Sequence, residues 1–175
     1  MDLLNKKIRN ITQSVTLKID ALAKKMKADN EDVVSFGAGE PDFDTPDYIK
    51  DQAIASIKKG ETKYTDASGT IALKNAVVKK MKEEHGLEYQ PSQIVISCGA
   101  KHSLYNIFQV MLDPGDEVIL FSPFWVSYPE QIKLADAKPV IVDTTGTGFK
   151  INFNELENKL SPRTKLIVLN SPQNP

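Results

Sequence analysis

Apolar residues recur along this chain with two different spacings, and the alternation between them predicts an α/β protein. Short apolar runs rich in β-branched residues predict strands at residues 33–36, 94–96, 117–121, 138–143 and 165–169. Apolar stripes with a spacing of three or four residues predict helices over residues 14–27, 46–58, 70–84, 101–112, 131–137 and 153–160. Strands that alternate with helices in this way indicate a mostly parallel sheet flanked by helices.

The segment from Gln93 to Pro123 is the clearest part of this pattern. It reads as a strand, a turn of small residues, a helix, a polar turn at 113–116 and a second strand. A strand, a helix and a strand in this order form a βαβ unit. We therefore expect its two strands to be parallel and joined by a right-handed crossover.

The turn at 97–100 is the first candidate for a functional site. A helix N-terminus presents unpaired backbone N–H groups and a partial positive charge. Gly99 and Ala100 leave room for a ligand to approach that backbone, which favours an anion and most naturally a phosphate. Many α/β proteins carry a small-residue turn here for packing alone. On this pattern alone, the packing interpretation stays ahead.

Three other positions each allow a functional and a structural interpretation. The loop at 37–46, with two glycines and two prolines, is typical either of a functional loop or of a connector. Tyr64, in the polar loop at 62–69, is typical either of a half-buried packing residue or of one that reaches a ligand with its hydroxyl. Trp125 follows the carboxyl end of a predicted strand, where open parallel sheets bind ligands. That location favours a flat platform for a planar ring over a core aromatic.

Composition excludes several classes of partner. The chain has 175 residues, of which 41% are hydrophobic, and this is enough for one domain or a domain with an appendage. A net charge of -1 gives no reason to expect nucleic acid or an anionic membrane as partner. The single cysteine, Cys98, excludes an internal disulfide framework. No apolar window approaches the roughly 20 residues of a membrane span, and the first residues lack a signal-peptide core. We expect a cytoplasmic protein.

Five segments, in this order and spacing, resemble the class I aminotransferases, which are pyridoxal-phosphate enzymes of the aspartate aminotransferase superfamily. Together they cover much of the chain, and their combination is far more specific than any one of them. They are GAGEPDFDTP at 37–46, TKYTDASGTIALK at 62–74, SCGAKHSLYNIFQVMLDPGDEVIL at 97–120, SPFWVSYPE at 122–130 and NSPQNP at 170–175.

The resemblance implies the pyridoxal-phosphate-dependent transferase fold, fold type I, with a mostly parallel sheet that is incomplete in this chain. It implies an N-terminal arm and the start of a small domain at 1–45, and the first part of the large cofactor-binding domain at 46–175. In the family, the lysine that forms the Schiff base lies beyond the motif at 170–175. We therefore expect the N-terminal part of an aminotransferase, without a catalytic residue of its own and inactive alone.

Cofactor-binding residues carry over where the motifs match. The resemblance implies that Gly99, Ala100 and Lys101 hold the phosphate of pyridoxal 5'-phosphate at the helix N-terminus. It implies that Trp125 stacks on the pyridine ring. It also implies that Asn174 donates a hydrogen bond to the phenolic oxygen of the ring.

Other roles implied by the resemblance concern the substrate and a partner subunit. Tyr64 would reach the phosphate held by the partner subunit, which implies a homodimer with shared active sites. The backbone at Gly39 would meet the substrate α-carboxylate, and Asn170 would support the loop that presents Asn174. No metal is implied.

The function implied is transfer of an amino group from an L-amino acid to a 2-oxo acid such as 2-oxoglutarate. An aspartate-like substrate is compatible with the sequence. It is not specifically indicated, because the segments expected near the substrate offer no clear basic group for a distal carboxylate. Three alternatives stay open: a lyase or decarboxylase on the same fold, a phosphate- or nucleotide-binding α/β domain, and a non-catalytic interaction fragment. The nucleotide-binding alternative ranks low because the chain lacks a GxGxxG or P-loop motif.

Overall fold

The computed structural model describes residue 3 and residues 5–12, 14–37, 39 and 41–172. The chain divides into two compact units, one formed by Met1–Glu40 with Leu104–Pro175 and the other by Pro41–Ser103. The predicted domain division at residue 45 stays a prediction.

Seven α-helices and three strands occur within the described residues, together with two short 3-10 turns. In chain order they are α1 (Lys6–Arg9), α2 (Val15–Ala28), α3 (Asp47–Lys58), α4 (Ile71–His85), the 3-10 turn Pro91–Gln93, α5 (Gly99–Met111), β1 (Glu117–Ser122), α6 (Ser127–Leu134), β2 (Lys138–Asp143), the 3-10 turn Thr145–Thr147, α7 (Phe153–Lys159) and β3 (Thr164–Val168). Of these helices, none is long and apolar enough to cross a bilayer.

The three strands form one parallel sheet in the order β2-β1-β3. In its register, Val118 of β1 lies opposite Pro139 of β2 and Leu166 of β3. Helix α6 connects β1 to β2, and α7 connects β2 to β3. The α/β architecture expected from the alternating spacings is thus confirmed.

Strand β1 is the centre of the core because both of its faces are covered. Val118 and Leu120 point to one face, where Phe108 of α5 and Ile132 of α6 pack against them. Ile119 lies on the opposite face with Phe121 and Val142, and Ile151 and Leu156 cover that cluster. Burial on both faces explains why β1 reads as a continuous apolar run rather than as an alternating one.

Two of the five predicted strands are absent from the sheet. Within the described residues, the backbone at 33–36 and at 94–96 forms no strand ladder. Ile94 has an extended backbone with φ -108° and ψ 129°, but extended backbone becomes a strand only when a neighbour supplies ladder hydrogen bonds. The predicted βαβ unit of 93–123 was therefore wrong in this detail. The parallel units are β1-α6-β2 and β2-α7-β3.

Three helices begin at a residue whose side chain caps them. Side-chain oxygens of Ser14, Thr70 and Asn152 accept hydrogen bonds from the amides three residues later, at the starts of α2, α4 and α7. At α3 the N-cap is Pro46, and no side chain caps the helix.

Helix α4 is buried along only part of its apolar stripe. Val77 and Met81 are half-buried, but Leu73 is 47% exposed, whereas the neighbouring Lys74 is only 9% exposed. A lysine is rarely buried unless a polar partner satisfies its ammonium group. The partner of Lys74 is the hydroxyl of Ser68 in the preceding loop.

Candidate functional site

The turn before helix α5 has the geometry expected of a small-residue anion site. Helix α5 begins at Gly99, two residues before the predicted start, and Gly99 has φ +78°. A Cβ added at Gly99 would meet no atom within 4 Å, so the turn leaves open space in front of the helix N-terminus. Gly99, Ala100 and Lys101 are all exposed. The first amides of a helix have no acceptor within it, so this end suits an anion.

Hydrogen bonds hold the turn in place from both sides. The amide of Gly99 donates to the carbonyl of Ser97 at 2.9 Å, and the amide of Cys98 donates to Nδ1 of His102 at 3.2 Å. The hydroxyl of Ser103 donates to the carbonyl of Gly99 at 3.4 Å. The backbone around Gly99 is therefore ordered by the chain itself.

The loop that carries Tyr64 is joined to the segment leading into this turn. The amide of Ile96 donates to the carbonyl of Ser68 at 2.9 Å. Gly69, with φ +107°, lies so close to Ile96 that an added Cβ would be 2.4 Å from its Cγ1. The structure thus brings the loop of Tyr64 beside the strand-like segment that ends at the Gly99 turn. The side chain of Tyr64 itself is fully exposed.

A buried lysine of helix α4 holds the same loop by a hydrogen bond. Nζ of Lys74 donates to the hydroxyl of Ser68, which in turn donates to the carboxylate of Asp66. The amide of Ser68 donates to the same carboxylate at 2.8 Å. The hydrogen bonds from the hydroxyl and amide of Ser68 lower the pKa of Asp66. Sequence reasoning missed Lys74, although a lysine next to the apolar stripe of α4 and after the polar loop was a usable signal.

Trp125 lies in the other unit, in the segment between β1 and α6. Its ring meets that of Tyr128 edge to face, with centroids 5.6 Å apart and an angle of 86° between the planes. The amide of Tyr128 donates to the carbonyl of Trp125 at 3.0 Å. Tyr128 is buried, and burial raises the pKa of its hydroxyl. Trp125 is half-buried against the core cluster and lies at the carboxyl end of β1, as predicted.

The carboxyl ends of β1 and β2 are joined by side chains immediately before this aromatic segment. The hydroxyl of Ser122 donates to Oδ1 of Asp143 at 2.8 Å. The hydroxyl of Thr144 donates to the carbonyl of Ser122 at 2.6 Å, and the amide of Thr144 donates to it at 3.2 Å. Hydrogen bonds from the Thr145 amide, the Ser122 hydroxyl and the Thr145 hydroxyl lower the pKa of Asp143.

The remaining predicted site residues are described only in part. Asn170 follows β3, so it lies at the same edge of the sheet as the segment after β1, and its Nδ2 donates to the carbonyl of Pro172 at 3.1 Å. Gly39 is exposed. Asn174 lies outside the described residues.

Most of the chain matches a known protein family. The model for aminotransferase class I and II matches residues 31–175. The chain belongs to this aminotransferase family. The resemblance to the class I aminotransferases is therefore confirmed.

Individual aminotransferases match over almost the whole chain. An aspartate aminotransferase of Bacillus subtilis is 51% identical over 173 residues, which is 98% of this chain and 44% of that protein. An aspartate/prephenate aminotransferase of Nitrosomonas europaea is 46% identical over 173 residues, again 98% of this chain and 44% of that protein. The chain thus spans less than half the length of the relatives it matches.

Solved aminotransferase structures confirm the fold class. The aspartate aminotransferase of Thermus thermophilus, in its structure with maleate, superposes with a TM-score of 0.95 at 39% identity and covers 100% of this chain and 46% of that one. The aspartate aminotransferase of Thermotoga maritima gives 0.92 at 42% identity, over 98% of this chain and 46% of that one. This chain therefore has an incomplete fold-type-I α/β architecture, as expected from its motifs.

The described residues of this chain fit pyridoxal phosphate at two places. The open turn at Gly99 offers a helix N-terminus and space for a phosphate. The indole of Trp125 offers an aromatic ring held by Tyr128, suitable for stacking on a pyridine. The sequence predicted both places as cofactor-binding, and that assignment stays a prediction. It did not single out Ser122, Asp143 and Thr144, whose polar side chains at two strand ends were the available signal.

Proposed function

We propose that the whole protein transfers an amino group from an L-amino acid to a 2-oxo acid such as 2-oxoglutarate, with pyridoxal 5'-phosphate as cofactor. The observation that carries this proposal is 51% identity, over 98% of the chain, to an enzyme named aspartate aminotransferase. Aspartate is accordingly the first amino donor to test. The bound cofactor supplies an electron sink for the carbon that loses its proton.

The phosphate is assigned to the turn before α5. Gly99, Ala100 and Lys101 hold it with first-turn amides and the positive end of the helix. The argument rests on the positive φ of Gly99 and on the space in front of it, because a side chain there would occupy the position of the phosphate. Hydrogen bonds at Cys98 and Ser103 hold that backbone ready before a ligand arrives.

The ring of the cofactor is assigned to Trp125. A stacked indole fixes the plane of a pyridine, and the edge-to-face contact with Tyr128 holds the indole in one orientation. Asn174 is proposed to donate to the phenolic oxygen, with Asn170 supporting its loop. The bond from Asn170 to the carbonyl of Pro172 supports such a role because it stiffens the backbone just before Asn174.

The substrate and dimer roles complete the proposal. The backbone at Gly39 is assigned to the substrate α-carboxylate. Tyr64 is assigned to the phosphate of a partner subunit in a homodimer, and its full exposure within its own unit supports this outward role. We further propose residues 1–45 as an arm with the start of a small domain, residues 46–175 as part of the large cofactor-binding domain, and the cytoplasm as the location.

A direct assay tests the function. The whole protein is incubated with pyridoxal phosphate, aspartate and 2-oxoglutarate, and glutamate is measured. Glutamate formed in equal amount to the aspartate consumed supports amino transfer. Consumption of aspartate with release of carbon dioxide or ammonia, and no glutamate, would instead favour a lyase or decarboxylase on the same fold.

A further inference from the structure

The segment with Trp125 leaves β1 directly after a group of hydrogen bonds that joins two strand ends. We propose that Ser122, Asp143 and Thr144, here called the strand-end clasp, are positioning residues for Trp125. This inference rests on the proposed function, in which Trp125 stacks on the cofactor ring. None of the three is assigned to touch cofactor or substrate.

The first element of the clasp acts on the backbone. Thr144 is only 4% exposed, and both its hydroxyl and its amide donate to the carbonyl of Ser122, at 2.6 and 3.2 Å. Two donors on one carbonyl fix the direction in which the chain leaves β1, because that carbonyl belongs to the peptide that continues to Pro123. Trp125 follows three residues after Ser122.

The second element acts through the side chain of Ser122. Its hydroxyl donates to Oδ1 of Asp143 at 2.8 Å. The carboxylate is itself held, since the amide and hydroxyl of Thr145 donate to it at 3.0 and 2.9 Å. The backbone of Asp143 is held as well, because its amide donates to Oε1 of Glu155 at 3.2 Å. The end of β1 is therefore tied to a carboxylate that cannot rotate freely.

The far end of the aromatic segment is held independently. The amide of Tyr128 donates to the carbonyl of Trp125, and the two rings meet edge to face. With the clasp before it and Tyr128 after it, the segment has two fixed ends separated by only five residues, 123–127. Holding a stacking ring before its ligand arrives reduces the entropy lost on binding.

Near-ultraviolet circular dichroism tests the clasp without any cofactor. Trp125 is the single tryptophan of the chain, so the spectrum of Trp125→Phe subtracted from that of each other variant isolates its signal. We expect Ser122→Ala and Thr144→Val each to lose most of the Trp125 band. Thr145→Ala is the matched control, because the Thr145 amide still donates to the Asp143 carboxylate at 3.0 Å and the bonds made by the Ser122 and Thr144 hydroxyls remain, so it is expected to retain the band.

Conservative variants separate positioning from simple loss of fold. Ser122→Thr keeps a hydroxyl for Asp143 and is expected to restore the band. If Ser122→Ala loses its far-ultraviolet ellipticity, Asp143→Ala at an exposed position replaces it as the deciding variant. An unchanged Trp125 band in folded Ser122→Ala and Thr144→Val, or in folded Asp143→Ala, would overturn the proposal.

A second measurement distinguishes a failure of the positioning role from a failure of the proposed function on which it rests. Pyridoxal phosphate is titrated into each chain, and quenching of Trp125 emission is followed. We expect Ser122→Ala to bind about fivefold more weakly than Thr145→Ala, the size of one net hydrogen bond. Equal affinities would overturn the positioning role. Absence of quenching in every chain, with the dichroism band lost as expected, would overturn the assignment of Trp125 to the ring and leave the clasp supported.

Discussion

The amide of Ile96 donates a hydrogen bond of 2.9 Å to the carbonyl of Ser68, and this contact joins two candidate site segments of the unit 41–103. On one side lies the loop of Tyr64, which is fixed from within by Lys74. On the other side lies the segment that enters the Gly99 turn three residues later. The geometry of one segment is therefore set partly by the other.

Gly69→Ala is predicted to disrupt this junction. The new Cβ would lie 2.4 Å from Cγ1 and 2.8 Å from Cβ of Ile96, and φ at Gly69 is +107°, a conformation that alanine rarely adopts. Clash and backbone strain together are expected to lower the free energy of unfolding of this unit by about 3 kcal/mol. Urea denaturation and hydrogen exchange at the amide of Ile96 measure the effect.

Gly60→Ala is the matched control for Gly69→Ala. Gly60 also has a positive φ, +77°, but an added Cβ meets nothing within 4 Å. Only backbone strain remains, so we expect a loss of about 1 kcal/mol. Equal losses for the two variants would show that contact with Ile96 contributes nothing.

Gly99→Ala is predicted to weaken binding of pyridoxal phosphate by at least about tenfold, the effect of losing one charge-assisted hydrogen bond. The methyl group would enter the space in front of the helix, and φ +78° would be strained. Gly86→Ala is the control, because Gly86 has φ +67° and equally open surroundings but lies at the C-terminal end of α4. Equilibrium dialysis with the cofactor measures both. Equal affinities would exclude this turn as the phosphate site.

Tyr128→Ala is predicted to destabilise the unit that holds the sheet and to release Trp125. Tyr128 is 5% exposed and packs in the core cluster, so truncation is expected to cost about 3–5 kcal/mol. Tyr128→Phe keeps the edge-to-face contact and is expected to stay within about 1 kcal/mol of the parent. Thermal unfolding followed by Trp125 emission tests the pair, and a large loss in the phenylalanine variant would contradict a packing role.

A pH dependence is predicted from Glu117, whose side chain is buried at the amino end of β1. Its carboxylate accepts hydrogen bonds from the Ser161 hydroxyl at 2.7 Å, Arg163 Nη2 at 3.2 Å and Lys138 Nζ at 3.5 Å. The Ser161 hydrogen bond, helped by the positive charges of Lys138 and Arg163 and opposed by burial, lowers the pKa of Glu117.

A lowered folded pKa means that the unfolded chain binds the proton more readily. The contribution of Glu117 to stability is therefore complete above the ordinary carboxyl pKa and is lost as the pH falls through the lowered value. We expect the free energy of unfolding to fall less steeply below about pH 5 in Glu117→Gln than in the parent. Urea denaturation at a series of pH values measures this, with the exposed Glu157→Gln as control. Parallel curves for all three chains would exclude Glu117 as the source.

The periodicity of apolar residues determined the class of fold and most of its elements. Strand β1 and helix α4 were predictable because a run buried on both faces and a capped helix with a glycine end leave local signals. The small-residue turn at Gly99 and the lone Trp125 were visible for the same reason, since each is unusual in its own stretch of sequence.

Only the tertiary structure decided which extended segments pair and which polar groups meet. The residues 94–96 look like a strand, yet their backbone amides at Ile94 and Ile96 donate to the carbonyls of Pro91 and Ser68 and not to a neighbouring strand. Ladder pairing depends on a neighbour distant in sequence. The meeting of Ser122 with Asp143, 21 residues later, depends equally on a partner distant in sequence. Local spacing determines the elements because it acts through neighbours along the chain, whereas these contacts arise only when separate elements pack together.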